Sequence, residues 1–179
     1  DGHAHAEDLI RQISGLNKGK YLYEEEQEAA PTNLCIGAAC YPEKHAEALN
    51  LGTDIAYLKR KVDAGAEYLV TQMFFDNAAY TRFVDMCRKE GINVPIIPGL
   101  KPLTTLKQIA FIPKTFAIDL PDAFARELVA CRSDADVKRA GIAWAIHQAK
   151  ELKAAGAPCL HFYTMGKGDA VKAILSEVF

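Results

Sequence analysis

Tyr41 and His45 flank Pro42 just past a run of small apolar residues, Cys35 to Cys40. A tyrosine offers a ring face and a hydroxyl, and a histidine can bond a phosphate or a hydroxyl. An ordinary loop pair would look the same. Further on, Asp54, Tyr57 and Lys61 fall at i, i+3 and i+7, with Arg60 beside them. That spacing puts them on one helix face, while Ile55, Leu58 and Val62 make the buried side. Adjacent cations near a strand end can neutralise a pyrophosphate. A solvated charged face is the alternative.

Gln72 sits inside the apolar run from Tyr68 to Phe75. Burying an unpartnered amide costs roughly 1–3 kcal/mol, so a purely structural position would favour Val or Leu. Gln72 is therefore either bonded to neighbouring backbone or turned to a ligand at the strand's C-terminal end. Thr164-Met-Gly-Lys-Gly-Asp169 joins another apolar run to a helix. Backbone amides at such a helix start can hold an anion, and Lys167 can meet a carboxylate or phosphate. The Walker spacing is absent, and a simple turn is the plain alternative. His3 and His5 form an HxH pair of the kind that holds metal in barrel hydrolases. No apolar strand precedes the pair, and His161 is the sole candidate for a third ligand. No metal site is expected.

These groups need elements to position them. Apolar periodicity predicts helices over Ala6 to Leu16, Thr53 to Ala64 (capped by Thr53), Asn77 to Glu90, Lys107 to Ala110, Pro121 to Cys131, Asp134 to Ala155 and Asp169 to Val178. Strands are expected at Cys35 to Cys40, Tyr68 to Phe75, Val94 to Ile97 (stopped by Pro98-Gly99) and Cys159 to Tyr163. Tyr21 to Asn33 and Phe111 to Asp119 read as connections. Strand–helix alternation means a parallel sheet covered by helices. About four strands is half of a (β/α)8 barrel, although a complete open sheet is also possible. A half barrel would expose edges and an apolar interior, so association with another chain, as a homo-oligomer, is expected.

The chain of 179 residues is 50% hydrophobic and 25% charged, ordinary for a single globular domain. A net charge of −2 implies no nucleic-acid partner, and no apolar run approaches a membrane span. The polar start, Asp1 to Asp8, does not read as a signal peptide, and none is expected. Five scattered cysteines without a CxxC pair read as reduced, mostly buried thiols in a cytoplasmic protein.

CYPEKHAEA, LKRKVDAGAEYLVTQMFFD, VPIIPGLKPLTTLKQ and LHFYTMGK together resemble the 5,10-methylenetetrahydrofolate reductases, in order and spacing, over nearly the whole chain. The resemblance implies a flavoprotein TIM barrel, of which these residues form the C-terminal portion, about four strand–helix units without a regulatory domain. It implies FAD as cofactor, methylenetetrahydrofolate as substrate and NAD(P)H as electron donor. Hydride would pass by way of the flavin to give 5-methyltetrahydrofolate for methionine synthesis. By motif, Tyr41, His45, Ala48, Asp54, Tyr57, Arg60 and Lys61 would contact FAD. Gln72, Gln108 and Lys167 would contact the folate. Tyr57 stands where some members have Asn, Met73 where others have an aromatic, and Lys167 where some have Arg. Lysine keeps that charge but lacks the bidentate fork. The family's general acid and its Arg-Gly-Asp aspartate have no counterpart here, so the acid is expected N-terminal to Asp1.

Overall fold

The computed structural model describes residues 2–22 and 30–179. The acidic stretch Glu24 to Glu28, part of the expected connection, lies outside the described residues. The elements run α1 (Ala6–Leu16), β1 (Gly37–Cys40), α2 (Leu51–Asp63), β2 (Tyr68–Thr71), α3 (Asn77–Lys89), β3 (Ile96–Ile97), β4 (Gly99–Leu100), α4 (Leu106–Phe116), α5 (Asp122–Ala130), α6 (Asp134–Ala154), β5 (His161–Phe162) and α7 (Asp169–Val178). Every strand pairing is parallel: β1 with β2, β2 with β3, and β4 with β5. The strands form a three-stranded sheet in the order β1-β2-β3 and a two-stranded sheet of β4 and β5, in the alternating α/β arrangement expected. Among the described residues no helix is long and apolar enough to cross a membrane.

Alternation along the strands divides the sheet into two faces. Leu69, Thr71, Cys40, Ile96 and Leu100 are buried on the helix side. Most of them join Ile55, Leu58, Phe83, Cys87 and Ala149 in the main core. Gly37 and Ala39 occupy the other face and stay exposed, with Tyr68 and Val70 half-buried. The Tyr68 ring lies over Gly37, so close that an added Cβ would stand 2.3 Å from it and the ring would have to move. A second core lies under α4, α5 and α6, with Phe75, Leu103, Phe124, Leu128 and Val137 at its centre.

Several expectations are corrected. β3 ends at Ile97 as expected, but a second short strand, β4, begins at once after Pro98. Pro98 lacks an N–H but keeps its carbonyl, which accepts the His161 N–H at 3.0 Å. Ile96–Ile97 pairs with β2, and Gly99–Leu100 pairs with β5. Gly99 N–H turns instead to Thr71 Oγ1, 2.9 Å away. The strands are shorter than expected. β1 begins at Gly37, leaving Cys35 exposed, and β5 spans only His161–Phe162, leaving Cys159 exposed. All five cysteines are free, and only Cys40 and Cys87 are buried.

β2 ends at Thr71 because the backbone beyond it bends beneath α6. There the Trp144 indole donates to the Phe75 carbonyl at 3.0 Å and the Gln148 amide donates to the Phe74 carbonyl at 3.2 Å. Asn50, not Thr53, caps α2; its side chain accepts the Thr53 N–H at 2.8 Å. Pro121 is the residue before α5 rather than its first. The expected connection Phe111 to Asp119 is mostly helix. α4 runs through Pro113 to Phe116, because Ile109, Ile112 and Phe116 pack into the second core.

A cleft between α1, β1 and α2 as candidate site

α1 is held over the start of β1 by local bonds. Ser14 Oγ donates to the Ala64 carbonyl at 2.7 Å, and Ile10, Ile36 and Ala66 form a small core beneath it. Between this helix, the exposed face of β1 and the polar face of α2 lies an open cleft of about 650 Å³. Tyr41, His45, Ala48, Asp54, Tyr57, Arg60 and Lys61 all line it. The whole set expected to hold FAD is thus brought together. Gly37, Ala38 and Ala39 line it too, and α1 adds an apolar side from Leu9, Ile10 and Ile13.

The loop after β1 is braced for this. Asp54 accepts the backbone N–H of His45 at 2.8 Å, so the first turn of α2 fixes the loop. His45 Nδ1 accepts the Glu47 N–H at 3.2 Å, which leaves Nε2 as the ring nitrogen available to a ligand. The Tyr41 and His45 rings meet edge-on at 4.6 Å. Burial, then the Asp54 carboxylate, push the Tyr41 phenol above its usual range, so it stays a neutral donor. Lys44 adopts φ +153° and closes the loop by donating to the Ala48 carbonyl at 2.9 Å.

The cations are not idle in this cleft. Arg60 pairs with Glu7 of α1 at 2.5 Å and lies over the Tyr57 ring, 5.4 Å from its centroid. Glu7 also pairs with Arg11. Hydrogen bonds from Arg11 and Arg60 hold the Glu7 carboxyl below the usual range. Lys61 Nζ donates to the Ala39 carbonyl at 3.2 Å. Glu7 was missed by sequence reasoning, and His5, weighed there only as half of an HxH pair, lines this cleft. The Glu7–Arg11 spacing was a visible helical pair, but nothing local announces a partner as distant as Arg60.

Gln72, Gln108 and Lys167 do not line the cleft. Gln72 follows β2, and its N–H extends the ladder to the Cys40 carbonyl at 2.8 Å. It is half-buried, not buried within a strand. Its Oε1 accepts the Met73 N–H at 3.0 Å, while its amide nitrogen has no hydrogen-bond partner among the described residues. Gln108 caps α4: its Oε1 accepts the Thr104 N–H at 2.7 Å, leaving its amide nitrogen for other contacts. Lys167 is exposed in the turn before α7, where Met165 and Gly166 take positive φ. Among the described residues no group of three or more His, Cys, Asp or Glu could hold a metal. His3 bonds Gln12, and His161 packs edge-on against Tyr163 at 4.7 Å.

The family model described as methylenetetrahydrofolate reductase matches residues 1–178. The chain belongs to the methylenetetrahydrofolate reductase family. It is 34% identical to methylenetetrahydrofolate reductase 1 of Schizosaccharomyces pombe, over 99% of this chain and 27% of that protein. It is 38% identical to the 5,10-methylenetetrahydrofolate reductase of Escherichia coli, over 78% of this chain and 47% of that protein. The aligned region thus spans about half or less of these family members. A solved structure from Clostridium thermocellum, an uncharacterized protein that binds two copies of 5-methyl-5,6,7,8-tetrahydrofolic acid, shares the fold. Its TM-score is 0.53 at 18% identity, over 81% of this chain and 52% of that one.

One group in this family member's loop titrates near neutrality. Glu43 accepts the Asp119 N–H at 3.2 Å and so ties the loop after β1 to the connection after α4. Burial outweighs that bond and pushes its carboxyl up to about 7. The folded state therefore binds this proton more tightly than the unfolded chain does. The associated stability is full below the ordinary value of 4.5 and is lost as pH rises through about 7. Thermal melts from pH 5 to 8 should show a falling midpoint that flattens in Glu43→Gln. An unchanged slope in the variant would contradict this assignment.

Proposed function

We propose that this chain carries the cofactor and folate contacts of an FAD-dependent reductase that converts 5,10-methylenetetrahydrofolate to 5-methyltetrahydrofolate, with NADH or NADPH as electron donor. The convergence of Tyr41, His45, Ala48, Asp54, Tyr57, Arg60 and Lys61 on one cleft is the observation that carries this reading. The side chains suit FAD. Small residues of β1 give a flat ring somewhere to lie, and the neighbouring cations suit a diphosphate. The all-parallel strands support reading the fold as the C-terminal portion of a (β/α)8 barrel, as a single domain.

Bound FAD would supply the hydride transfer between the nicotinamide and the folate. The protein's part is position and charge. Arg60 and Lys61 anchor phosphate oxygens, with Arg60 exchanging its Glu7 partner for the cofactor. His45 and the neutral Tyr41 phenol donate to hydroxyl or phosphate oxygens, and Asp54 keeps their loop in place. Gln72, whose amide nitrogen is unspent, orients the pterin ring. Gln108 adds a second amide contact, and Lys167 meets the glutamate carboxylate. The folate bound by the Clostridium thermocellum neighbour is in keeping with this assignment. The same reading places the enzyme in the cytoplasm, as a homo-oligomer, feeding methionine synthesis.

Gln72→Ala tests the substrate side. Loss of a neutral amide pair should weaken 5-methyltetrahydrofolate binding by about tenfold, roughly 1–1.5 kcal/mol, and leave FAD affinity intact. Calorimetric titration reads both. Equal folate affinity in the two proteins would remove Gln72 from the site.

A further inference from the structure

Lys101 follows β4 directly, in the segment Gly99-Leu-Lys-Pro102. Leu100 is fully buried in the helix-covered core, so the continuing pleat turns Lys101 away from that core. Lys101 is only 8% exposed. Its Nζ donates to the Tyr163 carbonyl at 2.9 Å, and no carboxylate pairs with it among the described residues. An ammonium has three donors, and here one is spent on a protein acceptor.

A buried, unpaired cation is expensive, and an apolar side chain would fill the place at lower cost. Burial indeed holds the Lys101 ammonium below the ordinary lysine range. Satisfying one carbonyl at a strand end does not need a charge. Its surroundings connect it to the substrate side of the sheet. The Tyr163 hydroxyl donates to the Thr71 carbonyl at 2.8 Å, and Thr71 immediately precedes Gln72. Gly99, two residues before Lys101, cannot carry a Cβ, which would meet the Thr71 carbonyl at 2.3 Å and the Tyr163 ring at 2.7 Å. Thr71, Gly99, Tyr163 and Lys101 are therefore one interlocked unit at the C-terminal ends of β2, β4 and β5. In parallel α/β folds, ligands bind at those ends. Lys101 is also absent from the lining of the α1–β1–α2 cleft assigned to the cofactor.

We propose that Lys101 is a substrate-contact residue whose free N–H donors bind the lactam oxygen of the pterin ring that Gln72 orients. This rests on the folate reading above and adds to it. Gln72 matches ring N–H and nitrogen groups, while Lys101 supplies charge to the ring's carbonyl oxygen. The neighbouring Tyr163 and Gly99 fix the strand ends from which both side chains project.

The test is calorimetric titration of the protein with 5-methyltetrahydrofolate, with p-aminobenzoylglutamate (the pterin-free tail) and with FAD. Lys101→Met and Lys101→Gln should each lose about 30-fold in 5-methyltetrahydrofolate affinity, while tail-fragment and FAD affinities stay within about twofold. Lys101→Arg should recover part of the loss. Thermal melting sorts out folding: if Lys101→Met is poorly folded, the Gln and Arg variants decide. Unchanged folate affinity in folded variants would overturn the proposal. So would a loss shared equally by FAD, which marks a structural role, or one confined to the tail fragment, which marks a carboxylate site. A wild-type protein that binds no 5-methyltetrahydrofolate would instead sink the folate reading itself.

Discussion

Replacing Arg60 and Lys61 together with alanine is expected to weaken FAD binding by about 100-fold. Hydrogen bonds to charged groups contribute about 1.5–3 kcal/mol each, and 1.4 kcal/mol is tenfold in affinity. Two such groups would total more than 3 kcal/mol on that scale. Part is offset, because Arg60 must leave Glu7 and Lys61 must leave the Ala39 carbonyl before either meets a phosphate. Both side chains are near solvent, which screens them further. A net loss of about 3 kcal/mol is the balance. Fluorescence titration of flavin measures it, and stability should fall only modestly, because the buried Glu7 carboxylate keeps Arg11 as its partner. Retained FAD affinity in the double variant would move the phosphate grip elsewhere.

The second large effect is on stability. Gly141 lies in α6 against the backbone of Leu103, and an added Cβ would stand 2.1 Å from the Leu103 carbonyl oxygen and 2.8 Å from its nitrogen. Two effects oppose each other in Gly141→Ala. Helix propensity favours alanine by about 1 kcal/mol. Overpacking costs about 1–3 kcal/mol, occasionally more, and the upper end applies where backbone cannot yield. The clash should win by about 2 kcal/mol, lowering the melting midpoint by roughly 4–8 °C in a chain of this size. α6 also supplies the Trp144 and Gln148 bonds that hold the backbone after β2, just beyond Gln72. Displacing α6 should therefore lower folate affinity too. A stabilised variant would mean that α6 does not seat on Leu103.

How much of this was legible in the sequence follows from how local each signal is. α1, α3 and α7 have a clean apolar stripe, and α6 has distinct ends at Ser133 and Gly156, so their bounds emerge nearly residue by residue. α4 was expected only over Lys107 to Ala110; the apolar face of Ile109, Ile112 and Phe116 carries it on through Pro113 to Phe116. β4 was hidden by Pro98, because the handover from β2 to β5 depends on a partner more than sixty residues away, His161. The short β2 was illegible for a similar reason: Tyr68 to Phe75 has strand composition throughout, and only α6 decides where it bends.

The cleft was legible from Tyr41 to Lys61, since loop and helix residues close in sequence build most of it. Its α1 wall was not. Glu7 gains its meaning from Arg60, and Lys101 gains its meaning from Tyr163; both are distant in the chain. The amide oxygen of Gln72 bonds neighbouring backbone, one of the two readings its burial allowed, whereas the engagement of the Gln108 oxygen with Thr104 was not foreseen.

Parallel titrations of the purified protein with FAD and with riboflavin test the cleft assignment most directly. Riboflavin has the same ring but neither the phosphates nor the adenosine. One FAD per chain should bind, at least about 100-fold more tightly than riboflavin, because the α2 cations act on the diphosphate. Equal affinity for the two flavins, or a protein that binds neither, would contradict the assignment of this cleft.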